Sequence, residues 1–127
     1  MIDFSQNTFF KLKQTDTAKG EKLVADLLVP GEQVMSAYQE MRDYVVFTDR
    51  RVISVNVQNV TGKKKNYTVL PYAKISVFAV ETAGVMDIDS RLDLWFSGLG
   101  HVRFEFSGHS DVVEISRVVA GYALRKA

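Results

Sequence analysis

From Gly31 onward, apolar and polar residues alternate with a period of two for about seventy residues, the spacing of half-buried β-strands and not of helices. The clearest stretch is Met86 to Phe96. Met86, Ile88, Leu92, Leu94 and Phe96 share one parity there, and Asp87, Asp89, Arg91, Asp93 and Trp95 share the other. Val102, Phe104 and Phe106 alternate with His101, Arg103 and Glu105, and Ile53, Val55 and Val57 alternate with Ser54 and Asn56. Gln33 to Glu40, Tyr44 to Thr48, Lys65 to Leu70 and Ile75 to Glu81 complete a set of about seven strands. Their links are short and polar: Met41 to Asp43, Asp49 and Arg50, Asn59 to Lys64, Pro71 to Lys74, and Gly98 to Gly100. Such links join antiparallel neighbours, because a parallel crossover needs a dozen or more residues. The pattern predicts an antiparallel meander and argues against a doubly wound α/β fold with its nucleotide crevice.

The two ends read as helical. Between Ala18 and Val29, Leu23, Val24, Leu27 and Leu28 fall on one helical stripe that Pro30 and Gly31 terminate, while Gly20 weakens the first turn. From Ser110 to Lys126, Val112, Ile115, Val119 and Tyr122 form a second stripe with Val118 beside it. Ser110 is the expected N-cap, with Asp111 and Glu114 in the first turns and Arg125 and Lys126 at the end, an order that complements the helix dipole. A strongly bent sheet has one open corner, and this helix is its natural plug.

At 127 residues the chain supports one compact core that buries about two-thirds of its unfolded surface. Residues 1–30 read as an N-terminal helical extension and 31–127 as the single folded unit. With no cysteine and two histidines, the chain has no disulfide scaffold, no thiolate and no histidine-rich metal site. Sixteen basic residues against 15 acidic ones give no global field for nucleic acid or an anionic membrane. Met1 to Lys13 lacks the pattern of a secretory signal, and no stretch approaches the ~20 apolar residues of a membrane span. By elimination the expected location is the cytoplasm.

Several runs resemble the bacterial pleckstrin homology (PH) domain family. They are Ala37-Tyr38, Arg42 through Arg51, Val60-Thr61-Gly62-Lys63-Lys64, Leu70-Pro71-Tyr72, Val80-Glu81-Thr82-Ala83-Gly84, and Asp87-Ile88-Asp89 through Leu94-Trp95, in that order between Gly31 and Tyr122. The resemblance implies a mainly β fold: a bent antiparallel barrel closed by the C-terminal helix, with a short N-terminal helix in front. It also implies a tendency to form ring-shaped homo-oligomers, and it implies no enzymatic activity, cofactor or settled ligand. Eukaryotic PH domains that bind phosphoinositides carry a long basic loop between their first two strands. Here that link is Glu40-Met41-Arg42-Asp43, short and without net positive charge, so the usual headgroup pocket is missing from the sequence.

Several constellations remain to be weighed. Lys63, Lys64 and Lys65 follow Thr61 and Gly62 in a hairpin loop that offers backbone N–H groups and point charges to phosphate or an acidic membrane surface. The plainer reading is a solvated turn, and the spacing fails as a Walker loop. Asp87, Asp89 and Asp93 share one strand face, but alternate strand residues lie ~7 Å apart, too far to grip one ion. Read as a calcium loop, the segment has Leu92 in place of the turn glycine and Gly98 in place of the bidentate glutamate, so the expectation is no metal and a solvated or inter-subunit face. Trp95 is either an interface anchor or packed beneath a loop or the first helix. Tyr44 and Val46 oppose Val45 and Phe47, so that strand is apolar on both faces and either the first helix or another subunit must cover its outside. His101 and His109 lack an orienting third group, and no nucleophile motif accompanies them. The expected partner is another copy of the chain, with a further protein or a membrane surface as alternatives.

Overall fold

The computed structural model describes residues 8–86, 89–108 and 110–125, with the backbone alone at Phe10. The strands are β1 (Thr8–Thr15), β2 (Val34–Glu40), β3 (Asp43–Thr48), β4 (Arg51–Val57), β5 (Lys65–Pro71), β6 (Ile75–Glu81), β7 (Ser90–Phe96) and β8 (Gly100–Phe106). Helix α1 (Thr17–Val24) follows β1, and α2 (Val112–Ala123) ends the domain. Among the described residues the sheet has eight strands, in the order β5-β4-β3-β2-β1-β8-β7-β6. Six of the meander strands keep their expected places, and Ser90–Phe96 of the alternating Met86–Phe96 run form β7. Met86 precedes that strand and is almost fully exposed, contrary to its inward parity.

The segment expected to be a helical extension supplies a strand as well. Residues Lys13 to Thr15 of β1 pair antiparallel with β2, whereas Thr8 to Leu12 pair parallel with β8. The register shifts between Phe9 and Leu12, where Lys11 takes a positive φ of 54°. That kink lets one strand leave the β2–β5 sheet and enter the β6–β8 sheet, bending the whole into a barrel. Parallel pairing is possible here because the partners are joined through the entire domain and not by a short link. A division at residue 30 therefore cuts the sheet at its middle.

Leu12 of β1, Tyr38, Val45, Phe47, Val52, Leu92, Leu94, Val102, Phe104 and Phe106 fill the barrel. Tyr38 meets Phe106 and Phe47 edge-on, with ring centroids 4.8 and 5.8 Å apart, the geometry favoured by aromatic quadrupoles. Helix α2 buries Val112, Ile115 and Val119 in this core and packs against β6, β7 and the 3-10 turn Tyr72–Lys74, closing the open corner as expected. Its N-cap is Asp111 and not Ser110: the Asp111 carboxylate accepts from the Glu114 backbone N–H at 3.0 Å.

A second core lies on the outside of β2–β5. Val24 of α1 packs there on Ala37, Val46, Ile53 and Val55, with Leu23, Leu27, Leu28, Tyr44 and Tyr67 at its margin. Full burial of each such side chain stabilises by about 1.5–3 kcal/mol, which explains why β3 and β4 are apolar on both faces. Asp16 caps α1 by accepting from Ala18 N–H at 3.0 Å, and the Tyr67 hydroxyl donates to the Leu23 carbonyl at 3.2 Å.

The chain after α1 is tied down by Glu32, whose side chain is fully buried. It accepts from Arg51 Nε (2.8 Å) and Nη2 (2.8 Å), from the Thr48 hydroxyl (2.7 Å) and from the Val29 N–H (3.1 Å). Arg51 Nη2 also donates to the Leu27 carbonyl at 2.6 Å, and Tyr72 donates its hydroxyl to the Thr48 carbonyl at 2.7 Å. Burial pushes the Glu32 carboxyl up. The hydrogen bonds from Arg51, Thr48 and Val29 and the Arg51 charge outweigh it and bring the pKa from 4.5 down to about 2.

Candidate functional site

Two parts of the surface are unlike the rest, and the first is the outer face of β6, β7 and β8. The register sets three cross-strand rows on that face: Val77, Trp95 and His101; Ala79, Asp93 and Arg103; Glu81, Arg91 and Glu105. Among the described residues, strand β6 ends the sheet and has a neighbour on one side only. Its sequence, Ile-Ser-Val-Phe-Ala-Val-Glu, contains neither proline nor lysine, and Val77 is 58% exposed. The other terminal strand, β5, begins with Lys65 and finishes with Pro71, two residues that discourage edge pairing.

Trp95 is 36% exposed beside Val77. It lies on the outer face of the sheet. Its indole stacks on the His101 imidazole, with centroids 4.6 Å apart and planes 22° from parallel. His101 Nε2 is 2.5 Å from Asp93 Oδ1, and Arg103 Nε donates to the same oxygen at 2.8 Å. Asp93 is therefore only 8% exposed, although its parity faces outward. Arg91 bridges Glu81 and Glu105, the latter at 3.2 Å. Hydrogen bonds to Glu81 and its charge, reinforced by Glu105, hold the Arg91 guanidinium above its ordinary pKa, and Asp93 does the same for Arg103.

These ion pairs reshape the acidic strand expected from the sequence. Asp93 is engaged within its own sheet, Asp89 accepts from the Gly108 N–H at 3.4 Å, and Asp87 lies outside the described residues, as do Ile88 and His109. Tyr44 is placed apart from them, at the edge of α1: Lys19 Nζ sits 5.2 Å from its ring centroid, and its hydroxyl accepts from Gln39 Nε2 at 2.9 Å. The first helix covers that outer face. Among the described residues, no group of three metal-ligating side chains comes together, and no helix is long and apolar enough to cross a membrane.

The second part is a basic corner. Val57 N–H donates to the Arg42 carbonyl at 3.0 Å and Gln58 N–H to the Lys64 carbonyl at 2.9 Å, so the β2–β3 turn lies beside the β4–β5 loop. Arg42 and Lys65 thus flank Val57 on its two sides, a proximity invisible in linear spacing. Met41, with a φ of 54°, and Val60 stand almost fully exposed at the two tips.

A kinked eight-stranded barrel stopped by a C-terminal amphipathic helix is the pleckstrin homology type of fold. The chain belongs to the bacterial PH domain family, whose model matches residues 3–123. It is 41% identical over 110 residues to the uncharacterized protein YjqA of Bacillus subtilis, covering 85% of this chain and 88% of that one. A solved protein with a pleckstrin-homology domain from Shewanella loihica superposes with a TM-score of 0.72 at 35% identity, covering 91% of this chain and 99% of the other. A pleckstrin homology domain from Shewanella amazonensis gives 0.63 at 40% identity, with 87% and 90% covered. The match begins before β1, in keeping with that strand's place inside the sheet.

Proposed function

We propose that this protein is a non-catalytic cytoplasmic PH-like module that assembles with copies of itself, in a ring-type homo-oligomer, through the β6 edge and the Val77–Trp95 surface. The observation that carries this reading is the contrast between the two sheet ends. β5 has a lysine and a proline, whereas β6 is seven residues of strand-forming sequence with an exposed valine and a half-exposed indole on its flank. An unprotected edge of this kind pairs with another chain unless something covers it. A cyclic assembly requires a heterologous contact, with the β6 side of one copy on a different patch of the next. Light scattering coupled to gel filtration tests it: a defined oligomer is expected at micromolar concentration, weakened by Val77→Lys and by Trp95→Ala. A clean monomer overturns the reading.

A second reading rests on the basic corner. Four cations, Arg42, Lys63, Lys64 and Lys65, share the β2–β3 and β4–β5 connections with two exposed apolar residues, Met41 and Val60, a combination suited to an acidic membrane surface. Each lysine or arginine contributes about 1 kcal/mol near such a surface, and several copies on one face of an oligomer multiply a weak contact. Flotation with acidic liposomes at low and physiological salt, wild type against the triple lysine-to-alanine variant, decides it. Equal absence of binding disposes of this reading.

A further inference from the structure

We propose that the patch meeting the β6 side in the head-to-tail assembly is the lysine loop: the β4–β5 connection of one copy, with Val60 exposed in it and Lys63 and Lys64 behind, seats against Val77 and Glu81 of the next. The inference rests on the assembly reading above and names the second half of its contact. Among the described residues, four large apolar side chains are more than 80% exposed, and they fall into two pairs. Met41 and Val60 sit in the β2–β3 and β4–β5 connections, which also carry Arg42, Lys63 and Lys64. Val85 and Met86 sit in the β6–β7 connection, a few residues beyond Glu81. Bare apolar groups beside polar ones are what a partner surface covers, and here the two pairs stand beside charges of opposite sign.

The three rows on the β6–β8 face hold Glu81, Asp93 and Glu105 against Arg91 and Arg103, a net of −1 with His101 neutral. Asp93 is nearly buried, so the carboxylate a partner meets first is Glu81, whose side chain is 62% exposed at the end of β6. The stretches 40–43 and 57–65 hold Arg42, Lys63, Lys64 and Lys65 against Glu40 and Asp43, a net of +2, and the Asp43 carboxylate already accepts from the Asn56 amide at 2.7 Å. Among the described residues, none of the three lysines has an ion-pair partner in its own chain. Complementary charge of this kind selects the partner and fixes its register. The topology permits both contacts at once: the loop leads into β5, the other surface runs along β6, and these strands are the two ends of the strand order. The two patches share no residue, so one copy can give its loop to one neighbour and its β6 side to another, as a contact repeated around a ring requires. The loop and not the β5 edge is offered, because Lys65 and Pro71 discourage pairing along that edge.

A head-to-tail contact is tested by breaking its halves separately. Val77→Lys breaks the β6 side, the pair Lys63→Glu and Lys64→Glu breaks the loop side, and Val60→Asp breaks the loop side without touching the lysines. All four positions are exposed, and circular dichroism checks that each variant keeps the wild-type fold. Sedimentation analysis is run on wild type, on each variant alone, and on equimolar mixtures of Val77→Lys with either loop-side variant. Each variant alone is expected to associate about tenfold more weakly than wild type. Each mixture is expected to give a one-to-one dimer and nothing larger, because the intact loop of one partner meets the intact β6 side of the other and each has a single working half. Raising the salt from about 50 to about 500 mM is expected to weaken wild-type association several-fold. Loop-side variants that assemble as wild type does overturn the inference and leave the β6 reading standing; if they have also lost flotation with acidic liposomes, the lysines serve a membrane surface instead. Mixtures no more associated than their separate components overturn it as well. A wild type that is monomeric throughout overturns the assembly reading, and this inference with it.

Discussion

Replacing Glu32 with glutamine keeps the shape of the side chain and removes its charge, leaving Arg51 without its two-oxygen partner. In the folded protein the Glu32 carboxyl ionises with a pKa of about 2 against an ordinary 4.5. At about 1.4 kcal/mol per pH unit, that difference is worth about 3 kcal/mol of stability. Breaking a buried pair by neutralising one partner costs about 3–5 kcal/mol, and Arg51 is 19% exposed, which favours the lower end. For a domain of this size, the loss lowers the melting temperature by about 10 °C. The sign of the pH dependence follows from the direction of the shift. A depressed folded-state pKa makes the contribution fully present above pH 4.5 and progressively lost as the pH falls toward 2. Urea denaturation of wild type and Glu32→Gln at pH 7, and then at steps from pH 5 to pH 2, measures both quantities. A gap of about 3 kcal/mol at pH 7 that closes toward pH 2 is expected. A gap below about 0.5 kcal/mol at pH 7, or one that stays constant across the acid range, refutes the reasoning.

Three further substitutions probe the parts that set the fold. Leu12→Ala in β1, at a fully buried position in the barrel, is expected to cost about 2–5 kcal/mol by urea titration, whereas a dispensable N-terminal extension would leave the midpoint unchanged. Gly20→Ala should lower the melting temperature, because an added Cβ would lie 2.5 Å from Ala37 Cβ; overpacking costs about 1–3 kcal/mol, more than the ~1 kcal/mol that alanine gains in a helix. Asp111→Ala is expected to cost about 1 kcal/mol and Ser110→Ala to cost much less, since Asp111 makes the cap hydrogen bond to Glu114. The reverse order, by thermal circular dichroism, would move the cap back to Ser110.

The meander was legible because its links are short and its alternation is long, so β2 to β8 could be read from parity alone. β1 was not legible, for a reason visible in its geometry. Lys11 breaks the strand into two short pieces that serve different sheets, and neither piece is long enough to show a period of its own. Gly20 read as a weak point in a helix, yet its small size is what lets α1 lie on Ala37. For the surface, parity placed Trp95 and Asp93 outward but was silent about what stands beside them. Asp93 becomes buried only because the register sets Arg103 opposite it and His101 within reach. Arg42 is held beside the end of β4, across from Lys65, by a backbone hydrogen bond between segments fifteen residues apart, from Val57 to Arg42. Such neighbours depend on register, which the order of residues along one strand does not contain.

The divided strand β1 also governs when the protein can fold. Thr8 pairs with Arg103 and Phe9 with Phe104, contacts that span nearly the whole chain and must pay the loop-closure entropy of that span before they stabilise anything. During synthesis β1 emerges well before its second partner, β8, because six strands and a helix lie between them. Until then the β2–β5 sheet can form beneath α1, while Phe9 and Leu12 wait without the core that will receive them. Closure of the barrel is thus a late, single event, and a chain that stalls or is cut before Phe106 is left with an incomplete sheet rather than a smaller version of the domain.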